Sequence, residues 1–289
     1  MVDERIAPPS AASYATRETE LADIELNLLL DAIVRFSGHD YREFAPGMLK
    51  RRVADRQRAE GVATISALQD RVLHDRAALA RFVRAMSAGP GRLFNDPAFF
   101  AAFRALVVPL LRTYSFTRLW VPGCAGGEDA YGLATVLHEE GLLERCMIYA
   151  TDASDLAIAN AKEGVFSIGS EQELKIAHHA TGAVTSLSPL CEIHDGKVYF
   201  NETLQRSIII AQHSVVSDAT INEFHAIVAR GLLPQFNKAL QFKVHKLFLS
   251  SLVRLGFLCV GSNESLRMTP YERVFRQLPS GESIYRRMR

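Results

Sequence analysis

Two periods of apolar residues divide the chain. From Leu21 to about Ser87, apolar positions return every three or four residues: Leu26, Leu29, Leu30, Ile33 and Val34 form one stripe, and Leu68, Val72, Leu79, Phe82 and Val83 mark later ones. That spacing puts one apolar face on each helix and predicts a small all-α domain over residues 21–87. Ala88-Gly89-Pro90-Gly91 then breaks both helix and strand patterns, so 88–91 reads as a linker. Residues 1–20 are polar and rich in Pro, Ser and Ala, and are expected to form a flexible tail.

Beyond the break, short apolar runs alternate with helical patterns. Strands are expected at 118–122, 146–151, 207–211, 224–229 and 256–260, with helices at 97–113, 128–140, 154–163 and 238–254. Such alternation predicts a mostly parallel sheet covered by helices, an α/β domain over 92–289. The runs 274–278 and 283–288 flank Pro279-Ser280-Gly281-Glu282 and predict an antiparallel hairpin at the sheet edge. Residues 165–206 interrupt the regularity with a polar stretch holding Asp195-Gly196 and the short run Lys197–Phe200; an inserted β-subdomain and a long surface loop both fit. His178 and His179 have no ligand-spaced partner on the same helix face, so they are expected to be solvated and no metal is implied.

Composition adds bounds. Hydrophobic residues make up 48% of the 289, enough for a substantial core, while a formal net charge of +1 gives no global field toward DNA or a membrane surface. No run approaches the roughly 20 apolar residues needed to span a bilayer, so no membrane insertion is expected. The four cysteines, at 124, 146, 191 and 259, form no C-x-x-C pair and read as reduced thiols. The N-terminus lacks the basic start and apolar centre of a signal peptide, which implies a cytoplasmic protein.

Candidate chemistry concentrates in one strand-loop-helix segment, Arg118–Gly132. An apolar strand runs into Gly123, Cys124, Gly126 and Gly127, then into a helix that begins with Glu128 and Asp129. The glycines let the backbone turn sharply and approach a ligand, as in nucleotide-cofactor loops. The spacing is not G-x-G-x-x-G, and acids at the helix start would repel a pyrophosphate while tolerating the ammonium and sulfonium of S-adenosylmethionine. A plain structural connection remains the alternative at this point. Asp152, at the tip of the next strand, can accept hydrogen bonds from ribose hydroxyls or cap the helix after it, a role Ser154 or Asp155 could fill instead.

Five ordered blocks resemble the CheR family of chemoreceptor glutamate O-methyltransferases. They are Phe36-Ser37-Gly38-His39, Leu49-Lys50-Arg51-Arg52, the loop from Leu119 to Tyr131, Ala150-Thr151-Asp152-Ala153-Ser154, and the segment from Gly256 to Glu264. The resemblance implies a helical N-terminal domain, a linker, and a class I, Rossmann-like S-adenosylmethionine-dependent methyltransferase sheet carrying a small β-subdomain that docks on receptors. It implies further that Gly123 and Glu128, with Cys124 and Gly126 of the same loop, surround the methionine part of S-adenosylmethionine or S-adenosylhomocysteine, and that Asp152 holds the ribose.

Departures from the family's pattern fall near the reacting centre. Gly91-Arg92-Leu93-Phe94-Asn95 stands where the family has T-x-F-F-R, so Asn95 replaces an arginine. His213-Ser214-Val215-Val216 stands for H-N-L-L, placing Ser214 and Val215 at the adenine positions. In the block from Ala229 to Phe236, Gly231 replaces an asparagine and Gln235 a tyrosine, while Arg230 survives. A weak protein-glutamate methyltransferase and a catalytically degenerate signalling protein therefore both remain open.

One more surface is basic. Arg51, Arg52, Arg56 and Arg58 lie on one predicted helix with Leu49 and Val53 turned inward. A solvated face is the plain reading. The resemblance implies instead that this helix faces the acidic, methyl-accepting helix of a chemoreceptor-like or other signalling protein, and an anionic nucleotide is a third possible partner.

Overall fold

The computed structural model describes residues 11–86, 91–218 and 223–288, which fall into two compact units, Met1–Met86 and Ser87–Arg289. The first is all helical: α1 (Ala11–Ser37), α2 (Pro46–Glu60), α3 (Ile65–His74) and α4 (Arg76–Met86). Its core is the expected stripe, Leu26, Leu29, Leu30 and Ile33 of α1 against Leu49, Val53, Leu68, Val72 and Phe82. Thr64 caps α3 by accepting the N–H of Ala67, and Gly61 ends α2 in the left-handed region with φ 67°. The polar segment expected as a tail over 1–20 needs correction, because α1 is already helical from Ala11; residues 1–10 lie outside the described residues, as do 88–90 of the expected linker.

The second unit begins with α5 (Pro97–Leu106) and α6 (Val108–Leu111), two helices where one was expected over 97–113. Pro109 has no N–H for a carbonyl one turn back, so the helix restarts at Val108. There follow β1 (Thr117–Pro122), α7 (Glu128–Glu139), β2 (Cys146–Asp152), α8 (Asp155–Glu163), β3 (Val165–Ser167), α9 (Glu171–Ala180), β4 (Cys191–His194), β5 (Lys197–Phe200), α10 (Glu202–Gln205), β6 (Ile208–Gln212), β7 (Phe224–Ala229), α11 (Lys238–Ser251), β8 (Leu252–Val260), β9 (Phe275–Gln277) and β10 (Ile284–Arg287).

Seven strands form the main sheet in the order β6-β2-β1-β7-β8-β10-β9. The first five run parallel, while β10 is antiparallel to both β8 and β9. The chain leaves β1 toward one side through β2 and β6 and returns on the other through β7 and β8. The gap beyond the carboxyl ends of β1 and β7 is thus the topological switch point, where open α/β sheets bind ligands. Trp120 anchors the centre, fully buried, its Nε1 donating to Thr151 Oγ1 at 2.9 Å. Helix α11 ends at Ser251 and β8 starts at Leu252, earlier than the expected 254 and 256. Leu255 takes φ 65° there, and Gly256 lets the strand pass close to the His225 carbonyl; an added Cβ would sit 3.1 Å from that oxygen.

Residues 165–206 hold a second, antiparallel sheet in the order β3-β5-β4, with α9 beside it. Asp195 and Gly196 turn the β4–β5 hairpin with φ 52° and 69°, the pair of positive angles that a two-residue turn requires. The expectation for His178 is corrected: it is buried, and its Nε2 lies 2.7 Å from Glu139 Oε1 on α7, fastening α9 to the main domain. His179 stays exposed.

Candidate functional site

A cleft of about 400 Å³ opens at the switch point, walled by the carboxyl ends of β1, β7 and β8 and by the segment 91–96. Its first wall is the loop after β1. Gly123 adopts φ 64°, in the left-handed region that favours glycine, and a Cβ there would lie 2.7 Å from Leu232 Cδ1, so a side chain would have to push Leu232 of the β7 loop aside. The loop is pinned by backbone bonds, Cys124 N–H to the Thr151 carbonyl at 2.9 Å and Gly127 N–H to the Cys124 carbonyl at 2.8 Å. Asp152 adds a side-chain pin, its Oδ2 accepting from Ala125 N–H at 3.1 Å.

Acids cluster behind this loop. Glu128 is 7% exposed, and burial pushes its carboxyl above the usual range, opposed by backbone N–H groups that include those of Gly91 and Gly126. Burial likewise raises Asp129, against the pull of Arg230. Arg230 donates to Asp129 Oδ1 at 3.0 Å and to the Asn95 carbonyl at 2.8 Å, reaches Asp96 at 3.4 Å, and lies 4.4 Å over the Phe99 ring. Glu264, after β8, accepts from Gly231 N–H at 2.7 Å through Oε1, while its buried Oε2 has no hydrogen-bond partner among the described residues. Burial pushes this carboxyl up to about 7. Burial also raises the Cys124 thiol, which leaves it a neutral wall rather than a nucleophile.

Among the residues singled out in the sequence, the structure gathers Asn95, Gly123, Cys124, Glu128, Arg230 and Gln235 on the cleft wall. Gly126 lies behind the wall, where an added Cβ would meet Glu128 Oε1 at 2.6 Å. Asp152 is buried beside the loop, accepting from Ser154 N–H as well as Ala125; Ser154 is the residue that caps α8. Ser214 and Val215 sit in the turn after β6, away from the cleft's lining, with Ser214 N–H donating to Asp218 at 2.8 Å. Arg92, Asp96 and the Gly261–Glu264 turn also line the cleft. Glu264 and Arg92 belong to sequence blocks already noted for their resemblance, but Asp96 carried no periodic or spacing signal.

The four arginines of α2 do not form one solvated face. Arg52 donates through Nη1 to the Met86 carbonyl, and Arg56, 17% exposed, pairs with Glu60 at 3.1 Å. Arg58 is exposed and paired with Asp55, and Arg51 is exposed. The structure thus leaves two of the four, Arg51 and Arg58, on the surface.

Residues 91–282 match the family described as CheR methyltransferase, SAM binding domain, and residues 24–87 match the CheR methyltransferase all-alpha domain. The chain belongs to the CheR methyltransferase family. It is 35% identical to a protein named putative methyltransferase Cher3 from Pseudomonas putida, over 92% of this chain and 97% of that one. It is 23% identical to a chemotaxis protein methyltransferase of Listeria monocytogenes, over 81% of this chain and 87% of that one. Among solved structures, an S-adenosylmethionine-dependent methyltransferase of Geobacter sulfurreducens in complex with S-adenosyl-L-homocysteine aligns to 62% of this chain and 53% of its own, at 14% identity and TM-score 0.34.

S-adenosylmethionine is the cofactor of this CheR domain, and the residues present fit it. A helix N-terminus ordinarily attracts anions. Here α7 opens on Glu128 and Asp129; Arg230 takes Asp129, and Glu128 suits the cleft mouth to a cationic amino-acid group instead. Gly123 and Gly261 keep the walls free of side chains, and the volume falls in the range of small-molecule sites. Among the described residues no group of His, Cys, Asp and Glu could hold a metal ion, and no helix is long and apolar enough to cross a membrane.

Proposed function

We propose that this protein transfers a methyl group from S-adenosylmethionine to glutamate side chains on an acidic helix of a chemoreceptor-like signalling protein. The observation that carries the reading is the make-up of the cleft. Among its lining residues there are two guanidinium groups, Arg92 and Arg230, beside four carboxyls, Asp96, Glu128, Asp129 and Glu264. A guanidinium suits a carboxylate acceptor, and such an acceptor needs no proton removed. A carboxylate is already ionised at neutral pH, so the acceptor oxygen can form a C–O bond as the C–S bond of the sulfonium breaks. When bound, S-adenosylmethionine supplies an electrophilic methyl carbon. The chain's residues orient the acceptor and exclude water, which matters because a misplacement of about 1 Å costs on the order of a hundredfold in rate.

Asn95 and Gln235 favour slow transfer. Both line the cleft where the family pattern has arginine and tyrosine, and the Gln235 amide is turned back on its own loop, donating to the Gly231 carbonyl at 3.1 Å. The same substitutions favour a second reading, a degenerate signalling protein that keeps the cofactor site without turnover. Gly123, Cys124, Gly126, Glu128 and Asp152 hold the cofactor in both, Asp152 at the ribose, with Ser214 and Val215 of the β6 turn at the adenine and Arg230 completing the set. The test is base-labile incorporation of labelled methyl groups into an acidic receptor helix, with S-adenosylhomocysteine affinity measured by calorimetry on the same samples. Slow incorporation that rises in Asn95→Arg with Gln235→Tyr supports the enzyme. Binding without incorporation in either form supports the degenerate module, and no binding rejects both.

A further inference from the structure

Two clefts meet at the segment 92–96. The second, of about 390 Å³, runs between that segment and the inserted subdomain, over Ile168, Leu174 and Ala177, and shares Arg92, Asn95 and Asp96 with the first. The two guanidinium groups of the first cleft differ sharply in freedom. Arg230 has a side chain 9% exposed and is tied to Asp129, Asp96 and the Asn95 carbonyl. Arg92 has a side chain 69% exposed, and its described partner is Glu173 Oε2 at 2.6 Å, on a side chain itself 58% exposed.

Gly169 lies against that pair. A Cβ at this position would be 2.3 Å from Glu173 Oε2 and 3.0 Å from Arg92 Nη2. No left-handed φ requires glycine there, so the space a side chain would take is the space the ion pair occupies. Glu173 also sits in the first turn of α9, behind the Ser170 cap. A carboxylate is favoured there by the helix N-terminus whether or not it touches Arg92.

We propose that Arg92 binds the carboxylate of the methyl acceptor, and that Glu173 is an internal carboxylate that occupies this guanidinium until the acceptor displaces it. The inference rests on the carboxyl methyl transfer proposed above and names the acceptor subsite for it. A guanidinium fork binds one carboxylate much as it binds another. An exposed ion pair adds little net stability, so the exchange is close to neutral and the acceptor's other contacts decide it. The chain flanking the acceptor glutamate then lies in the second cleft, along the inserted subdomain. Arg92 stands three positions before Asn95, so a cation is kept at the cleft while the side chain at position 95 is neutral.

The test uses two synthetic helical peptides that differ only by Glu or Gln at one central position, titrated by fluorescence anisotropy into the full chain saturated with S-adenosylhomocysteine. The wild type should prefer the Glu peptide. Arg92→Gln should weaken it about tenfold and erase the preference, the loss expected for one charge-assisted contact. Glu173→Gln should tighten the Glu peptide several-fold with little effect on the Gln peptide. Gly169→Ala should do the same, because it crowds the pair without removing either charge. A preference retained in Arg92→Gln, or an unchanged Glu-peptide affinity in Glu173→Gln and Gly169→Ala, overturns the proposal, as does binding of neither peptide. Calorimetry separates this failure from that of the underlying reading: intact S-adenosylhomocysteine affinity leaves the cofactor site standing, whereas its loss in the wild type removes the transferase reading as well.

Discussion

Helix α2 and the methyltransferase cleft both concentrate ionisable side chains, and they hold them by different means. In and behind the cleft wall, Glu264 and Asp152 accept backbone N–H groups of the loops they brace, and Arg230 binds a backbone carbonyl as well as two acids. Around α2 the main partners are other side chains. Glu60, 5% exposed, collects Arg81 at 2.7 Å, Arg56 at 3.1 Å and Arg71 at 3.5 Å, which joins α2, α3 and α4 at one carboxylate. Groups fixed to backbone keep a loop in shape for a ligand; groups fixed to one another keep helices together. The same residue types therefore serve a site in one unit and the fold in the other.

The largest effect should come from breaking the cleft's buried ion cluster. Arg230→Ala takes the guanidinium from Asp129, whose side chain is 25% exposed, from Asp96 and from the Asn95 carbonyl, and empties the space over Phe99; together these losses should cost about 3–5 kcal/mol. Trp120, the only tryptophan, is buried in the same unit, so its fluorescence during urea unfolding reads the loss directly. A shift below about 1 kcal/mol, the range of exposed pairs, would place Arg230 with the exposed pairs and erase the contrast between the two regions.

Next is a pH effect of opposite sign in the two regions. Glu264 rises from 4.5 to about 7 on folding, so between those values the folded chain holds a proton that the unfolded chain has lost. Its contribution is complete below 4.5 and is lost as pH rises through about 7, amounting to about 3 kcal/mol from the size of the shift. Glu60 is lowered, chiefly by its hydrogen bond with Arg81, so its contribution is present above 4.5 and lost as pH falls through its folded value. Glu264→Gln should flatten the decline of Trp120-detected stability between pH 5 and 7, and an unchanged slope would show that the carboxyl is not held neutral.

Legibility followed the same division. The order of the main-sheet strands, the parallel sheet and the glycine loop could be read because periodicity and turn chemistry are local, and Gly123 and Glu128 stand together in sequence as well as in space; β3, α9, β4 and α10 lie in the polar stretch that a loop fitted equally well. The N-terminal reach of α1, the break at Pro109 and the early start of β8 could not, since each depends on neighbours that the local pattern leaves out. Burial of His178 needed Glu139 from another helix, and the Arg92–Glu173 pair joins positions 81 residues apart. For α2 the sequence shows four arginines but not Glu60's share of them or the Met86 carbonyl.

A smaller effect tests the helical unit. Glu60→Gln replaces the shared carboxylate by an amide and should cost about 1–3 kcal/mol, the usual consequence of stripping partners from a paired group. Far-UV circular dichroism follows the loss of helix. The Trp120 transition belongs to the other unit, so a shift confined to that signal would count against Glu60 as the clasp of α2, α3 and α4.

The smallest stability effect is expected where the functional effect on partners should be greatest. Arg51 and Arg58 are exposed, and Arg58's pair with Asp55 spans one turn of the same helix. Reversing both to Glu should change stability by only about 0–1 kcal/mol, because exposed charges are screened and solvated in both states. If α2 docks on an acidic receptor helix, the same double reversal should abolish capture of that helix in a pull-down, and capture by the wild type should weaken as salt rises. Arg52→Glu with Arg56→Glu is the contrasting pair: it removes the contacts to Met86 and Glu60 and should lower the unfolding midpoint. Capture that survives reversal of Arg51 and Arg58 would leave α2 a solvated face over a structural clasp. Capture lost only with Arg52 and Arg56, alongside a fallen midpoint, would trace the loss to unfolding rather than to docking.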